Sequence, residues 1–89
     1  MSSFDAFLEL EYGKLYYLDL HGQTKEEAHA SLIHLFSTID NSYKGILAVH
    51  GFHQGRVLKN YIRNEFTHKN LYKKIKLDAS RTILLLDLF

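Results

Sequence analysis

Asp19 and His21 stand two residues apart, and His50 follows later in the chain; each histidine directly precedes a glycine. A carboxylate beside an imidazole suits general acid–base work on a water molecule, and a second imidazole suits an acid or an anion ligand. In such a scheme His21 is the base. Asp19 either orients it or holds a divalent cation, and His50 is the acid or a second phosphate ligand. A hard cation normally draws on more carboxylates than Asp19 alone, so any metal is expected to be weakly held and supported by substrate phosphates.

The segment Gly51-Phe52-His53-Gln54-Gly55 follows His50 and leads into a helical pattern. Its amides, with the helix dipole, offer an anion site. Arg56, Lys59 and Arg63 recur at intervals of three and four, so a phosphate backbone leaving the loop would meet them in turn. The candidate nucleic-acid-binding residues are therefore Gly22, Gly51, Phe52, His53, Gly55, Arg56, Lys59 and Arg63. Phe52, an aromatic in a polar turn, either packs beneath the loop or stacks on an unpaired base. Plainer roles stand beside these: Asp-x-His at a strand end also caps a turn, and lysines 73, 74 and 76 suit an edge strand guarding against aggregation. His29 and His34 are five apart, off the ligand spacing of a helix, and with His68 they are read as incidental.

These residues need elements to position them. Residues 15–21 read as a strand that stops at Gly22. Thr24-Lys25-Glu26-Glu27 is a capping box, and apolar residues at 28, 32, 35, 36 and 39 continue a helix over 25–39. The apolar run 45–50 fits a buried parallel strand, and 51–55 a loop. Apolar residues at 58, 61, 62 and 66 mark a second helix from Arg56 to about Thr67. Residues 71–77 form a third strand, with Ile75 and Leu77 inward and Lys74 and Lys76 outward. Residues 82–88, nearly all apolar, form a central fourth strand, and the short link between them implies a hairpin. The fold expected is an α/β (α+β) two-layer sandwich, β-α-β-α-β-β, with a four-stranded mixed sheet and both helices on one face. The alternation of Phe7–Tyr12 adds an optional extra strand within an N-terminal extension, residues 1–14, before the domain at 15–89. Asp19 and His21 then share a face of the first strand, and two strand-terminal histidines share the carboxyl edge where open α/β sheets bind ligands.

Composition sets limits. The chain has 89 residues, 46% hydrophobic and 24% charged, enough for one domain. With no cysteine it holds neither disulfide nor thiolate metal site, and with no proline it has no proline-rich linker. No apolar run is long enough to span a membrane and the start is unlike a signal peptide, so the cytoplasm is the default expectation. The net charge of +1 conceals a split: residues 1–55 carry three lysines against seven carboxylates, and residues 56–89 carry eight Lys/Arg against three. A dipolar chain of this kind suits an anionic partner at one end.

Leu18-Asp19-Leu20-His21-Gly22, the Thr24–Ala28 helix entry and the later His50-Gly51 before a second helix resemble the Smr (small MutS-related) domain over roughly residues 15–88. The first motif matches the family's letter for letter. In the second, His50, Gly51 and Gly55 match, whereas His53 stands where the family has a glycine and Phe52 where a basic residue is common. The resemblance, to the stand-alone bacterial type, implies a DNA- or RNA-binding domain, with nicking endonuclease activity in some members. The alternatives are a non-catalytic nucleic-acid-binding module and a binder of a small phosphorylated ligand. Neither DNA against RNA nor oligomeric state follows from the sequence.

If Phe52 stacks on a base, Phe52→Ala weakens single-strand binding while the melting temperature stays within a few degrees. A large loss of stability, with binding by the folded fraction intact, would make Phe52 core instead.

Overall fold

A computed structural model of the chain describes residues 3–51 and 55–87. Along it run α1 (Ser3–Tyr12), β1 (Leu15–Asp19), α2 (Lys25–Thr38), β2 (Gly45–Val49), α3 (Gly55–Asn60) leading into a π-helical turn (Tyr61–Glu65), β3 (Leu71–Lys76) and β4 (Arg81–Leu86). The four-stranded mixed sheet has the order β1-β2-β4-β3. β1 and β2 are parallel, with Asp19 opposite Val49, and β4 runs antiparallel to both of its neighbours. The two crossovers, β1-α2-β2 and β2-α3-β3, progress in one direction across the sheet, which puts both helices on the same face. The expected α+β sandwich and the β3–β4 hairpin are both present. No helix among the described residues is long and apolar enough to cross a membrane.

Local chemistry explains the elements. Thr24 Oγ1 accepts from the Glu27 amide at 3.1 Å, and Glu27 Oε1 accepts from the Thr24 amide at 2.9 Å, so two free helix-start donors are satisfied reciprocally. From there Ala28, Leu32, Leu35 and Phe36 fall on one face of α2. They join Leu58, Tyr61, Ile62 and Phe66 over Leu20, Ile46, Ala48 and Leu84 to form the larger core.

The second helix is not regular throughout. The Phe66 amide donates to the Tyr61 carbonyl at 2.7 Å, five residues back, and this wide turn lets Tyr61, Ile62 and Phe66 all bury. Lys74 closes the end of that turn, its Nζ donating to the carbonyls of Arg63 at 3.2 Å and Phe66 at 2.5 Å. Lys74 was expected to point outward. It is instead half-buried on the helix side of the sheet, where burial lowers its pKa. Ile75 and Leu77 pack on the opposite face, as alternation requires.

The largest departure concerns the N-terminus. Phe7–Tyr12 is helix, not an extra strand, and it packs against the sheet. Leu8 is buried, and with Tyr12 it packs against Leu15, Leu47, Ile83 and Leu85 on the face that α2 and α3 leave bare. Leu8 and Tyr12 are four apart, so a helix sets both on one side as readily as the alternating pattern suggests a strand. The deciding term is burial. β2 and β4 carry apolar side chains on both faces, with Leu47 and Ile83 fully buried, and an added edge strand would leave that second face in water. Glu9 fixes the junction, its Oε2 accepting from the Leu15 amide at 2.9 Å.

Leu8→Ala is therefore expected to lower the unfolding free energy by about 2–3 kcal/mol, the lower range for a buried leucine beneath a covering helix. Urea denaturation measures it, and a change below about 0.5 kcal/mol would mean that α1 is dispensable.

Candidate functional site

The parallel pairing of β1 with β2 sets Asp19 level with Val49, so both strands end at the same edge of the sheet. β4 enters at that edge, with Arg81 opposite Val49 and Thr82 opposite Ala48. Asp19, His21, Gly51 and His50 therefore gather there, as the strand-end argument required. The edge holds two separate hydrogen-bonded groups.

The first group is exposed. His21 Nδ1 lies 2.6 Å from Asp19 Oδ1, and the His21 amide donates to the same oxygen at 3.1 Å. A carboxylate can only accept, so Nδ1 carries a proton, and in the neutral ring Nε2 is the nitrogen with the lone pair. The side chains are 70% and 60% exposed, so Nε2 is open to a solvent molecule or a ligand. Hydrogen bonding from the His21 ring, then from its amide, lowers the Asp19 pKa and keeps the carboxylate ionised at neutral pH. Gly22 follows with φ +80° and turns the chain toward α2. The Gln23 amide then donates to the Leu20 carbonyl at 3.1 Å.

The second group is buried and lies on the other face of the sheet. Asp19 shares its face with Val49 by register, whereas His50 takes the helix side with Thr82. His50 is 1% exposed and Thr82 fully buried. Arg63 Nε donates to Thr82 Oγ1 at 2.8 Å, and the Thr82 hydroxyl is then free to donate to His50 Nε2 at 3.0 Å. His50 Nδ1–H donates in turn to the Gly51 carbonyl at 3.0 Å. Both ring nitrogens are engaged. The acid or phosphate-ligand role expected for His50 thus has no open nitrogen to serve it; its ring holds the Gly51 turn instead.

Gly51 connects the two groups. Its φ of +74° belongs to the left-handed region, and a Cβ there would lie 3.3 Å from the His21 Cβ. The amides of His50 and Gly51 both donate to the Ser80 carbonyl, at 2.9 and 3.1 Å. Asp78 shapes that turn: its Oδ1 accepts from the Ser80 amide at 3.0 Å, and its Oδ2 from Arg81 Nε and a terminal guanidinium nitrogen at 2.9 and 2.7 Å. Burial works against the Asp78 carboxylate, yet these hydrogen bonds hold its pKa below the ordinary value.

Of the basic row expected along the second helix, Arg56 is exposed and Lys59 half-buried. Arg63 is turned inward. Besides Thr82, it donates to the carbonyls of Arg81, at 3.0 Å, and Asp78. The π-helical turn is the reason: it winds more than 3.6 residues per turn, so Arg63 no longer continues the line of Arg56 and Lys59. Gly55 opens α3. Phe52 and His53 lie outside the described residues. Among the described residues no group of three or more His, Asp or Glu side chains could hold a metal ion. Sequence reasoning missed Thr82, Ser80 and Asp78. The available signal was a threonine opening an otherwise apolar strand, where a buried hydroxyl needs partners.

The arrangement pairs an oriented imidazole, able to take a proton from water, with a rigid glycine turn at its side. No family model, curated protein or solved structure matches the chain.

Burial pushes the His50 pKa below its ordinary 6.5; the Gly51 hydrogen bond opposes this, and the charges of Arg63 and Lys59 reinforce it. The unfolded chain then binds this proton more readily than the folded one. Stability from His50 is therefore complete above about pH 6.5 and is lost as the pH falls from there toward the lower folded pKa. The urea midpoint should drop between about pH 7.5 and 5.5, and His50→Gln should flatten that drop. An unchanged slope in the variant would mean that His50 titrates as freely folded as unfolded.

Proposed function

We propose that the chain is an Smr-like nucleic-acid-binding domain that hydrolyses phosphodiester bonds at the Asp19–His21 edge. The observation that carries this reading is the exposed imidazole whose Nδ1 is fixed by a carboxylate, with Nε2 facing outward. The match of Leu18-Asp19-Leu20-His21-Gly22 to the family motif supports it independently.

In this mechanism His21 Nε2 accepts a proton from a water molecule as its oxygen attacks phosphorus. Asp19 stabilises the imidazolium that forms, because its carboxylate already receives the Nδ1 proton. The bond from phosphorus to the departing sugar oxygen breaks. That oxygen takes its proton from solvent, since His50 is occupied by Thr82 and Gly51. Arg56 and Lys59 supply positive charge toward the phosphate backbone, and Arg63 acts through the fold. A divalent cation, if one takes part, would meet Asp19 and the substrate's own phosphates; it would add positive charge at the phosphoryl oxygens.

The withdrawal of His50 favours a second reading, a module that binds nucleic acid at this edge without cutting it. A small phosphorylated ligand at the same edge is a third, and it would show a much shallower salt dependence than a partner contacted at several phosphates.

His21→Ala is expected to lower nicking of supercoiled plasmid or structured RNA by about 10²–10⁴-fold, the usual contribution of one general base, with binding retained. Absence of cleavage by the wild type on both substrates, with binding present, would establish the non-catalytic module.

Replacing Arg56 and Lys59 together by alanine should weaken binding uniformly across sequences and flatten the salt slope by up to about two units. An unchanged slope removes α3 from the docking surface. Arg63→Ala is expected to act mainly on stability.

A further inference from the structure

A groove of about 560 Å³ runs beside β1, lined by Glu9, Lys14, Leu15, Tyr16, Tyr17 and Tyr43. β1 is an edge strand, so its outer side is unpaired by the sheet. Tyr16 and Tyr17 are 37% and 46% exposed. Tyr16 meets Tyr43 edge-on, with centroids 5.4 Å apart and planes at 73°. Lys14 Nζ sits 4.5 Å from the Tyr43 centroid. The Tyr16 and Tyr43 rings thus brace one wall of the groove before any ligand arrives, and that wall has little conformational freedom to lose on binding.

Position gives the groove its meaning. Alternation puts Tyr17 and Asp19 on the same face of β1, about 7 Å apart, with the dyad imidazole next along. The lining carries one carboxylate and one ammonium, so it is close to neutral and suits a planar uncharged ring better than a phosphate. A partner strand is poorly served here. β1 is only five residues long, and its first outward donor, the Leu15 amide, is already bonded to Glu9 Oε2 at 2.9 Å.

We infer that this groove receives an unpaired base of the nucleic acid, stacked on Tyr17, so that the strand reaching the Asp19–His21 dyad is single. The inference rests on the function proposed above and adds to it the strandedness of the substrate. A base inside a duplex is stacked on its neighbours and cannot enter; a base in a single strand or loop offers an open face to an aromatic ring.

The test uses the full chain, a fluorescently labelled single-stranded oligonucleotide of mixed sequence, and the duplex made from it, with affinity read by anisotropy. Tyr17→Ala is expected to weaken single-strand binding by about five- to a hundred-fold, the effect of losing one base–aromatic stack, and to change duplex affinity by less than about twofold. Tyr17→Phe, which keeps the ring, should bind as the wild type does. If Tyr17→Ala loses its circular-dichroism signal, Tyr17→Leu, bulky but without a ring face, carries the same expectations. Wild-type single-strand affinity in the ringless variant overturns the inference, as does an equal loss on both probes or a loss in Tyr17→Phe. Should the ringless variant bind nucleic acid normally but no longer self-associate in sedimentation, the groove belongs to a second copy of the chain. A wild type that binds neither probe overturns the proposed function itself, which separates the two failures.

Discussion

The two central strands are apolar on both faces, and this single constraint organises the rest of the structure. Ile46, Ala48 and Leu84 point to one side of the sheet and Leu47 and Ile83 to the other, and all five are fully buried. A sheet of this kind must be covered twice. α2 and α3 cover the first side, as any right-handed β-α-β crossover would have them do. The second side falls to α1, the only described segment not already committed to the first side or to the sheet. The domain is thus closed on this side by α1, which is part of it.

Covering both faces leaves the strand ends as the place where polar groups can meet solvent. There the same residue type serves opposite ends. His21, on the exposed β1 terminus, has a free Nε2 and an ionised carboxylate beside it. His50, one strand further in, is enclosed by Thr82 and Gly51 and held neutral by burial. The two imidazoles are close along the edge yet differ in chemistry because β1 is an edge strand and β2 is central. A central strand end is roofed by its neighbours; an edge strand end is not.

The buried chain Arg63–Thr82–His50–Gly51 gives the exposed group its rigidity. It runs from the π-helical turn through β4 into the turn beside His21, and among the described residues no buried side-chain nitrogen or oxygen lacks a partner. Losing one member would leave a buried donor or acceptor unmatched, which costs more than the bond itself contributes. The widened turn and the chain depend on each other: the extra residue in the turn swings Arg63 toward Thr82, and Arg63 also satisfies carbonyls of the Asp78–Arg81 turn. The basic charge of the second half of the sequence is accordingly divided, with Arg63, Lys74 and Arg81 tied into the fold while Arg56 remains exposed.

Periodicity, capping and strand-end chemistry determined much from sequence alone. The capping box at Thr24, the α2 core face and the four strands follow from local pattern, because each depends on residues near one another in the chain; the gathering of Asp19, His21 and His50 at one edge follows once the rule for parallel crossovers is added to that pattern. The tertiary structure decided what local pattern leaves balanced. Phe7–Tyr12 fits either period, and the bare second face of the sheet selected helix. Arg63 keeps regular spacing in the sequence, and the π-helical turn, formed so that Tyr61, Ile62 and Phe66 can all bury, sent it inward. His21 and His50 read alike as strand-terminal His-Gly pairs. Only the strand order, which leaves β1 at the edge and β2 in the centre, opened one imidazole to solvent and enclosed the other, because burial depends on neighbours far away in sequence.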